Sequence, residues 1–364
     1  MLRSLSDPAM SLAQLNITAK PENGGNGCGK CIENESNKPD FTDKEAALLT
    51  LKDFNLMGIV GLGGFGKIMF AEHSKTKKVY ALKAMNRLHI VRPRIGNIAE
   101  NEISIHKDLS SPFIIQFHAA FKTPNWVCVL MDLACNCNLQ EFAAKMTKKL
   151  TPRVKRFFLA EILLGIKYLH ENDIAHRDIK CENVLLSGEG HVKLADFGFA
   201  LGGMTAETTT NVPLGTPACT APEVYKNMPY TRACDIWSYG IAVFELLTFT
   251  SPIPVKAEED IKKFICDIND CNTDVNVSKL EDGNAYDLVR NCLQFEKDRI
   301  SIAQIQAHDF FKDTLWSKLH KKKHSDTSYF EIHHRDDYDE PMFPKHCDCL
   351  QDRCICNNYN GRFT

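Results

Sequence analysis

Three side chains in one short stretch of the chain are suited to phosphoryl transfer. Asp178 lies in the run HRDIKCEN, Asn183 ends that run, and Asp196 begins the triplet DFG a little further along. Asp178 is a candidate base for a hydroxyl group, and the amide and the second carboxylate are candidate magnesium ligands. Phosphoryl transfer asks little covalent chemistry of a protein, but it requires a positioned hydroxyl, metal on the phosphates and stabilised charge. The stretch therefore predicts a catalytic centre of this type.

A glycine-rich turn precedes this stretch and is a candidate phosphate-binding element. It spans residues 61–66, GLGGFG, between two segments that alternate like strands, around Phe54 and around Ile68. Glycine allows the backbone N–H groups to close over phosphates. The next segment, KVYALKAM, has the pattern of a strand, which argues against a dinucleotide-binding fold because a helix would follow there. The alternative is an ordinary glycine-rich hairpin.

A lysine and a glutamate in the next two elements are predicted to pair. Lys83 shares one face of its strand with Ala81. The following segment, residues 94–109, has a helical period that places Glu102 on an otherwise apolar stripe formed by Ile95, Ile98, Ile105 and Leu109. A buried carboxylate needs a partner, and Lys83 is the evident one. The alternatives are an exposed lysine at a sheet edge and a rotated helix with a solvated Glu102.

Further along, the pattern indicates a mostly helical region. Thr151 and Pro152 are a typical helix start, and residues 235–249 are apolar nearly all round, which predicts a central buried helix. Val192 and Leu194 alternate with polar neighbours and predict a short strand that carries Asp196 to a loop.

Together these motifs resemble those of eukaryotic protein kinases. HRDxKxxN followed by DFG is specific, and the APE triplet at 221–223 completes the set, so the resemblance runs from about residue 51 to 316. The segments DFGFA and HDFFKDTLWSKL are similar to the AGC group, and to its cyclic-AMP-dependent kinases in particular. The resemblance implies an α+β, two-lobed fold with a small antiparallel-sheet N-lobe (about 51–131) that has one main helix, and a larger helical C-lobe (about 135–316). Residues 1–50 are predicted to be a disordered tail, and 317–364 a C-terminal tail.

The resemblance also implies an ATP- and Mg²⁺-dependent serine/threonine protein kinase and a role for each matching residue. Asp178 would be the base, Lys180 would offset charge on the γ-phosphoryl group, Asn183 and Asp196 would hold Mg²⁺, and Lys83, held by Glu102, would grip the phosphates. The implied nucleotide contacts are completed by Gly61, Leu62, Gly63, Gly64, Phe65, Gly66, Ile68, Ala81, Met131, Asp132, Ala134 and Asn138. The alternatives are a pseudokinase scaffold of the same fold and a small-molecule kinase.

Two structural residues are also implied by the resemblance. Asp235, at the start of the central helix, can cap backbone donors, and Arg299 matches the arginine that pairs with the glutamate of APE. The alternative for both is an ordinary helix cap and an ordinary surface charge.

Departures from the AGC pattern concern regulation and substrate binding. Val212 stands where the group carries a phosphorylated threonine, and Cys219 replaces a tyrosine. In related kinases the arginine that matches Arg177 pairs with a phosphate on the activation segment. One hypothesis is therefore that a nearby hydroxyl is phosphorylated, and the alternative is a segment that is ordered without phosphate. The candidate phosphorylation sites are Thr208, Thr209 and Thr210.

The resemblance further suggests how a substrate is chosen. Glu182 and Glu245 match acids that recognise arginine upstream of the phosphorylated residue, and Asn138 replaces a third acid. The expected preference is arginine two residues before the serine or threonine, with a weaker demand one residue further out. The alternative is that both glutamates pair with basic groups of the protein itself.

Composition sets broad limits on the class of protein. The chain has 364 residues, 44% of them hydrophobic, and a net charge of −2, which argues against a protein built to bind nucleic acid. It has no signal-peptide pattern or membrane-length apolar run, so we expect an intracellular protein, cytoplasmic in the first instance and nuclear as the alternative. The 15 cysteines are then expected to be reduced thiols. Six cysteines lie outside the domain: Cys28, Cys31, Cys347, Cys349, Cys354 and Cys356. The last four are candidate zinc ligands or lipid-attachment sites, and the alternative is an unstructured tail with reduced thiols.

Overall fold

The computed structural model describes residues 38–63, 66–92, 96–146, 150–188, 190–253, 277 and 279–320. Their fold is α+β and two-lobed, with an antiparallel sheet in the first lobe and mainly helices in the second, as the sequence predicts. The tail cysteines named above lie outside these residues. Within the described residues, no helix is both long and apolar enough to cross a membrane.

The N-lobe is built on an antiparallel sheet. Within the described residues it has five strands in the order β1-β2-β3-β7-β6. The glycine-rich turn joins β1 to β2, and Gly66 must be glycine because a Cβ there would lie 2.2 Å from the carbonyl oxygen of Ala84 in β3. The bounds are β1 Phe54–Gly63, β2 Gly66–His73, β3 Val79–Asn86, β6 Phe117–Lys122 and β7 Trp126–Met131, with a short hairpin of β4 Val91–Arg92 and β5 Gly96–Asn97.

The predicted disordered tail is wrong for its last part. Residues 38–50, which we call the N-terminal arm, contain helix α1, Asp43–Ala46, which is closed by a capping box between Thr42 and Glu45. Phe41 and Leu49 pack on the apolar cluster at the outer face of the sheet, which includes Phe54. Burial of this apolar surface offsets the entropy that is lost when the arm becomes ordered. The polar composition of the tail does not reveal this burial.

The main helix of the N-lobe starts later than the sequence pattern predicts. Helix α2 spans Ile98–His106, because Gly96 and Asn97 pair in β5 and the Asn97 side chain caps the helix by accepting the Glu100 N–H at 3.2 Å. Glu102 is 1% exposed, so it lies on the inward stripe as predicted. Ile95 lies outside the described residues.

The C-lobe forms around two long helices that pack on each other. Helix α4, Pro152–Glu171, starts at the predicted Thr151 cap, and helix α6, Cys234–Thr248, is buried over most of its surface. Both belong to one large apolar core that also includes Phe158 and Trp237. The other elements are α3 Leu139–Lys145, α5 Pro222–Tyr225, α7 Gly283–Cys292, α8 Ile302–Gln306, α9 Trp316–His320, β8 Cys135–Asn138, β9 Ile174–Ala175, β10 Val184–Leu186, β11 Val192–Leu194 and β12 Leu201–Gly202.

Helix α9 crosses the predicted end of the domain at residue 316. Its Leu319 is buried against the main core, and the indole N–H of Trp316 donates to the carbonyl of Gln306 at 3.0 Å. The ordered region therefore extends past the predicted boundary, because an apolar side chain there completes the core.

Candidate active site

One buried carboxylate holds the backbone of the catalytic stretch, residues 176–183. Asp235, at the start of α6, accepts the N–H of His176 at 2.9 Å and that of Arg177 at 2.8 Å, and His170 contacts it at 2.9 Å. Burial opposes ionisation of Asp235, but the hydrogen bond and charge of His170 lower its pKa. Asp235 was predicted to cap backbone donors, and the donors it binds belong to the catalytic stretch. These hydrogen bonds to Asp235 hold Arg177 at a positive φ of 64°.

Asp178 stands at the centre of a compact polar cluster. Its Oδ1 accepts the N–H and the hydroxyl of Thr216 at 2.9 and 2.7 Å, and its Oδ2 accepts the amide of Asn183 at 2.8 Å. Lys180 Nζ lies 3.2 Å from Asp178 Oδ2 and donates to Thr216 Oγ1 at 2.6 Å. The structure thus brings the predicted base next to the predicted lysine and amide. Thr216, 38 positions away, completes the cluster.

Lys83 joins the two lobes through two carboxylates. Its ammonium contacts both Glu102 oxygens at 2.8 Å and Asp196 Oδ1 at 2.9 Å. Burial disfavours the lysine charge, but Asp196 and Glu102 outweigh burial and raise its pKa, so Lys83 stays protonated. Burial also opposes ionisation of Asp196, and Lys83 outweighs it and keeps the Asp196 pKa below its usual range. The predicted Lys83–Glu102 pair is therefore formed.

The segment that follows β11 is packed between the lobes. Phe197 is fully buried, with its ring centroid 4.8 Å from that of His106 in α2 and 5.2 Å from that of His176. Asn101 in α2 donates to the carbonyl of Ala200 at 2.8 Å. These contacts hold the DFG triplet against α2, which keeps Asp196 facing Lys83.

The described residues that are predicted to contact the nucleotide lie on strands β1, β2, β3 and β7, in the segment after β7 and at the start of α3. Ala81 and Met131 are paired neighbours on β3 and β7, and Asp132 and Ala134 lie in the linker that follows β7. Asn138 caps α3 by accepting the Glu141 N–H at 2.9 Å, so its side-chain oxygen is engaged in the helix. Gly61, Leu62 and Gly63 end β1, and Gly66 and Ile68 begin β2, whereas Gly64 and Phe65 lie outside the described residues.

Asn183 and Asp196 fit a magnesium site. The N–H of Ala195 donates to the Asn183 carbonyl at 2.9 Å, which places the two candidate ligands next to each other. Among the described residues no group of three or more His, Cys, Asp or Glu is arranged to hold a metal. One carboxylate and one amide oxygen suffice for Mg²⁺, which usually completes its shell with phosphate oxygens and water.

The loop after DFG is held by a tyrosine hydroxyl. The Tyr230 hydroxyl accepts from Arg177 Nη1 at 3.2 Å and donates to the Val212 carbonyl at 2.6 Å. Thr210 and Tyr230 exchange backbone hydrogen bonds at 3.0 and 2.9 Å. The Arg177 Nε also donates to the Phe199 carbonyl at 2.7 Å. Arg177 is therefore engaged by a hydroxyl and a carbonyl, while Thr208 and Thr209 are exposed.

Glu182, next to Asn183, and Glu245, on α6, lie close enough for their charges to interact. Burial, and then the charge of Glu182, raise the pKa of Glu245 to about 7. Cys219 replaces a tyrosine of the AGC pattern and is buried. Burial, and then the charges of Glu245 and Glu182, raise the pKa of its thiol. Among the described residues no hydrogen bond or ion pair involves either carboxylate.

Glu223 of the APE triplet and Arg299 form a buried ion pair. Arg299 donates to both Glu223 oxygens at 2.7 and 3.0 Å and also to the Ala233 and Gln294 carbonyls. The pairing predicted for Arg299 is formed, and it ties the APE triplet to the body of the lobe.

Sequence reasoning missed three residues that the fold brings to the site: Thr216, Tyr230 and His118. His118 lies in β6 and contacts the linker residue Asp132. Each acts on residues far away in sequence, so no local period marked it. Thr216 lies in GTPACTAPE, where its place before the APE triplet was the one available signal.

Comparison with known proteins agrees with this geometry. The model of the protein kinase domain matches residues 54–311. Serine/threonine-protein kinase N2 of Danio rerio is 32% identical over 295 residues, which cover 79% of this chain and 30% of that protein. Protein kinase 3 of Dictyostelium discoideum is 30% identical over 288 residues (75% of this chain, 31% of that protein), and protein kinase C, eye isozyme, of Drosophila melanogaster is 30% identical over 279 residues (74% and 39%).

The chain belongs to the protein kinase family. Its relatives of the protein kinase C and N types are AGC-group serine/threonine kinases, so the group predicted from the sequence is confirmed. The chain spans about a third of the length of these relatives.

Proposed function

We propose that this chain is a serine/threonine protein kinase that transfers the γ-phosphate of Mg-ATP to hydroxyls of protein substrates. The observation that carries the proposal is the cluster around Asp178, in which Lys180, Asn183 and Thr216 all contact the candidate base or each other within 3.2 Å. Such preorganised charges stabilise a transition state without further rearrangement. The Lys83–Glu102 pair is formed at the same time, which supports an arrangement ready for nucleotide.

Each residue of the site has one proposed task. Asp178 orients the substrate hydroxyl and accepts its proton, while Lys180 offsets negative charge on the transferred group. Lys83 binds the nucleotide phosphates. Asn183 and Asp196 hold magnesium, which when bound neutralises charge on the phosphates. The glycine-rich turn covers the phosphates and excludes water.

We also propose that the substrate-binding acids give a preference for arginine. Glu182 and Glu245 are close enough for one charge to raise the pKa of the other, and an arginine would relieve that repulsion in a bidentate contact. The expected arginine lies two residues before the serine or threonine. Asn138 supplies no charge, and its oxygen caps α3, which supports a weaker demand one residue further out.

The loop that receives the peptide is proposed to be ordered without phosphate. Arg177 already donates to Tyr230 and Phe199, and Tyr230 holds the Val212 carbonyl. A phosphate on Thr208, Thr209 or Thr210 would have to compete with these hydrogen bonds for Arg177. These contacts favour the alternative without phosphate over the phosphorylation hypothesis.

Measurement of phosphate transfer to a generic basic protein tests the function. Asp178→Asn, Lys83→Met and Asp196→Ala are each expected to lower the rate about 10²- to 10³-fold or more, because each removes a preorganised charge. Cooperative thermal unfolding of the same variants shows that the loss is catalytic. Near-normal transfer by Asp196→Ala would contradict the magnesium assignment.

The same assay separates the remaining alternatives. A pseudokinase scaffold would bind nucleotide and transfer nothing, and a small-molecule kinase would leave proteins and peptides unlabelled. The contact of Lys83 with Asp196 and that of Asp178 with Asn183 argue against the scaffold.

A further inference from the structure

His118 is a buried histidine between the N-terminal arm and the interlobe linker. Its side chain is fully buried in β6. The Asp40 backbone N–H donates to His118 Nδ1 at 3.0 Å, and His118 Nε2 lies 2.6 Å from Asp132 Oδ1. The imidazole therefore connects residue 40 of the arm with the first residue of the linker.

The hydrogen bonds define the direction of this connection. A ring nitrogen that accepts an amide N–H carries no proton, so Nδ1 is the acceptor and Nε2 carries the hydrogen. Nε2 then donates to the Asp132 carboxylate, and the short distance is typical of a hydrogen bond to an ionised acceptor. The chain of donors runs from the arm through His118 to Asp132.

The arm end of this chain is itself anchored. The Asp40 carboxylate accepts the Tyr80 hydroxyl at 2.9 Å and forms an ion pair with Lys78. The Tyr80 ring lies edge-on to His118, with centroids 5.2 Å apart, and Phe41 packs against Tyr80. Asp40 and Phe41 thus hold the arm on the face of the sheet where His118 lies.

The linker end lies directly behind the candidate nucleotide site. Asp132 follows Met131, which pairs with Ala81 across the sheet, and the Asp132 N–H donates to the Gln116 carbonyl at 2.9 Å. Tyr80 precedes Ala81, so the two side chains point to opposite faces of β3. The hydrogen-bond chain therefore supports the linker from the face opposite the nucleotide.

We propose that His118, supported by the N-terminal arm, is a positioning residue that fixes the Asp132–Ala134 linker for the nucleotide base. The inference rests on the proposed nucleotide-binding function and adds His118 and Asp40 to the residues that shape the site. A linker fixed in advance loses less entropy on binding, so loss of the His118 hydrogen bonds weakens nucleotide binding and leaves peptide binding unchanged.

The test compares His118→Phe with His118→Gln in the full chain. Phenylalanine keeps a ring and removes both hydrogen bonds, whereas glutamine retains a donor and an acceptor. We expect His118→Phe to raise the Kd for ADP, measured by calorimetry, and the KM for ATP by about fivefold, with kcat and the peptide KM within about twofold of wild type. His118→Gln is expected to restore most of the ADP affinity.

Two further variants keep the test decisive. Asp40→Ala is the second variant if His118→Phe fails to fold. It keeps the backbone N–H that donates to His118 but removes the carboxylate that anchors the arm to Tyr80 and Lys78, and it is expected to weaken ADP binding in the same direction. Glu45→Gln, which weakens the capping box of α1 away from His118, is the matched control and should leave ADP binding unchanged. Unchanged ADP affinity in His118→Phe and Asp40→Ala, or an equal rise of the peptide KM, would overturn the proposal. Calorimetry needs no transfer, so binding of ADP without kinase activity would refute the proposed function and leave this inference standing.

Discussion

The raised pKa of Glu245 predicts that the preference for arginine depends on pH. Burial and Glu182 raise that pKa to about 7, so in the free protein the Glu245 carboxyl is mostly protonated below this pH and mostly ionised above it. An arginine side chain stays charged throughout this range and needs the ionised form of Glu245 as its partner. Binding an arginine peptide at low pH must therefore first remove a proton from Glu245.

The size of the effect follows from the pKa. At about pH 6 roughly one Glu245 in eleven is ionised, and at about pH 8 roughly ten in eleven are. If the bound arginine requires the ionised form, kcat/KM for the arginine peptide rises about tenfold between these two pH values. A peptide with alanine two residues before the serine gains nothing from this ionisation.

The assay is the ratio of kcat/KM for the arginine and alanine peptides across this pH range. The ratio removes pH effects that both peptides share, including any titration of ATP. Glu245→Gln should flatten the ratio, and Glu182→Gln should move its midpoint to lower pH, because it removes the like charge that raises the Glu245 pKa. A ratio that stays constant with pH in the wild-type protein would refute the reasoning.

Three other predictions concern the loop and the core. Changing Thr208, Thr209 and Thr210 together to alanine should leave at least about half of the transfer rate. Phosphatase treatment of the wild-type protein should also leave at least about half of that rate. A loss of more than about tenfold in either experiment would support the phosphorylation hypothesis. Tyr230→Phe should raise the peptide KM about three- to tenfold, as measured by steady-state kinetics, because it leaves the Val212 carbonyl without its donor, and an unchanged peptide KM would contradict this role. Arg299→Leu should lower the free energy of unfolding by about 3–5 kcal/mol in denaturant titrations, because it leaves Glu223 buried without its partner, and a loss below about 1 kcal/mol would contradict the buried pair.

The sequence by itself determined the candidate catalytic residues and the class of fold. Asp178, Asn183 and Asp196 occur in short motifs whose spacing is set by one short loop and the hairpin of β10 and β11, so their proximity follows from local geometry. The inward position of Glu102 followed from the helical period, and a buried carboxylate implied Lys83 as partner. Such inferences succeed because a period or a motif constrains neighbours within a few residues.

Only the tertiary structure decided how distant segments complete the site. Lys83 and Asp196 are 113 positions apart, and Asp40 and Tyr80 are 40 positions apart. The arm looked disordered because its own composition buries little apolar surface, and its order comes from Phe41 and Asp40 meeting a sheet that forms later in the chain. A hydrogen bond between distant segments depends on how their two elements pack against each other. That packing is decided by apolar burial summed over the whole lobe, so it leaves no periodic pattern in either segment.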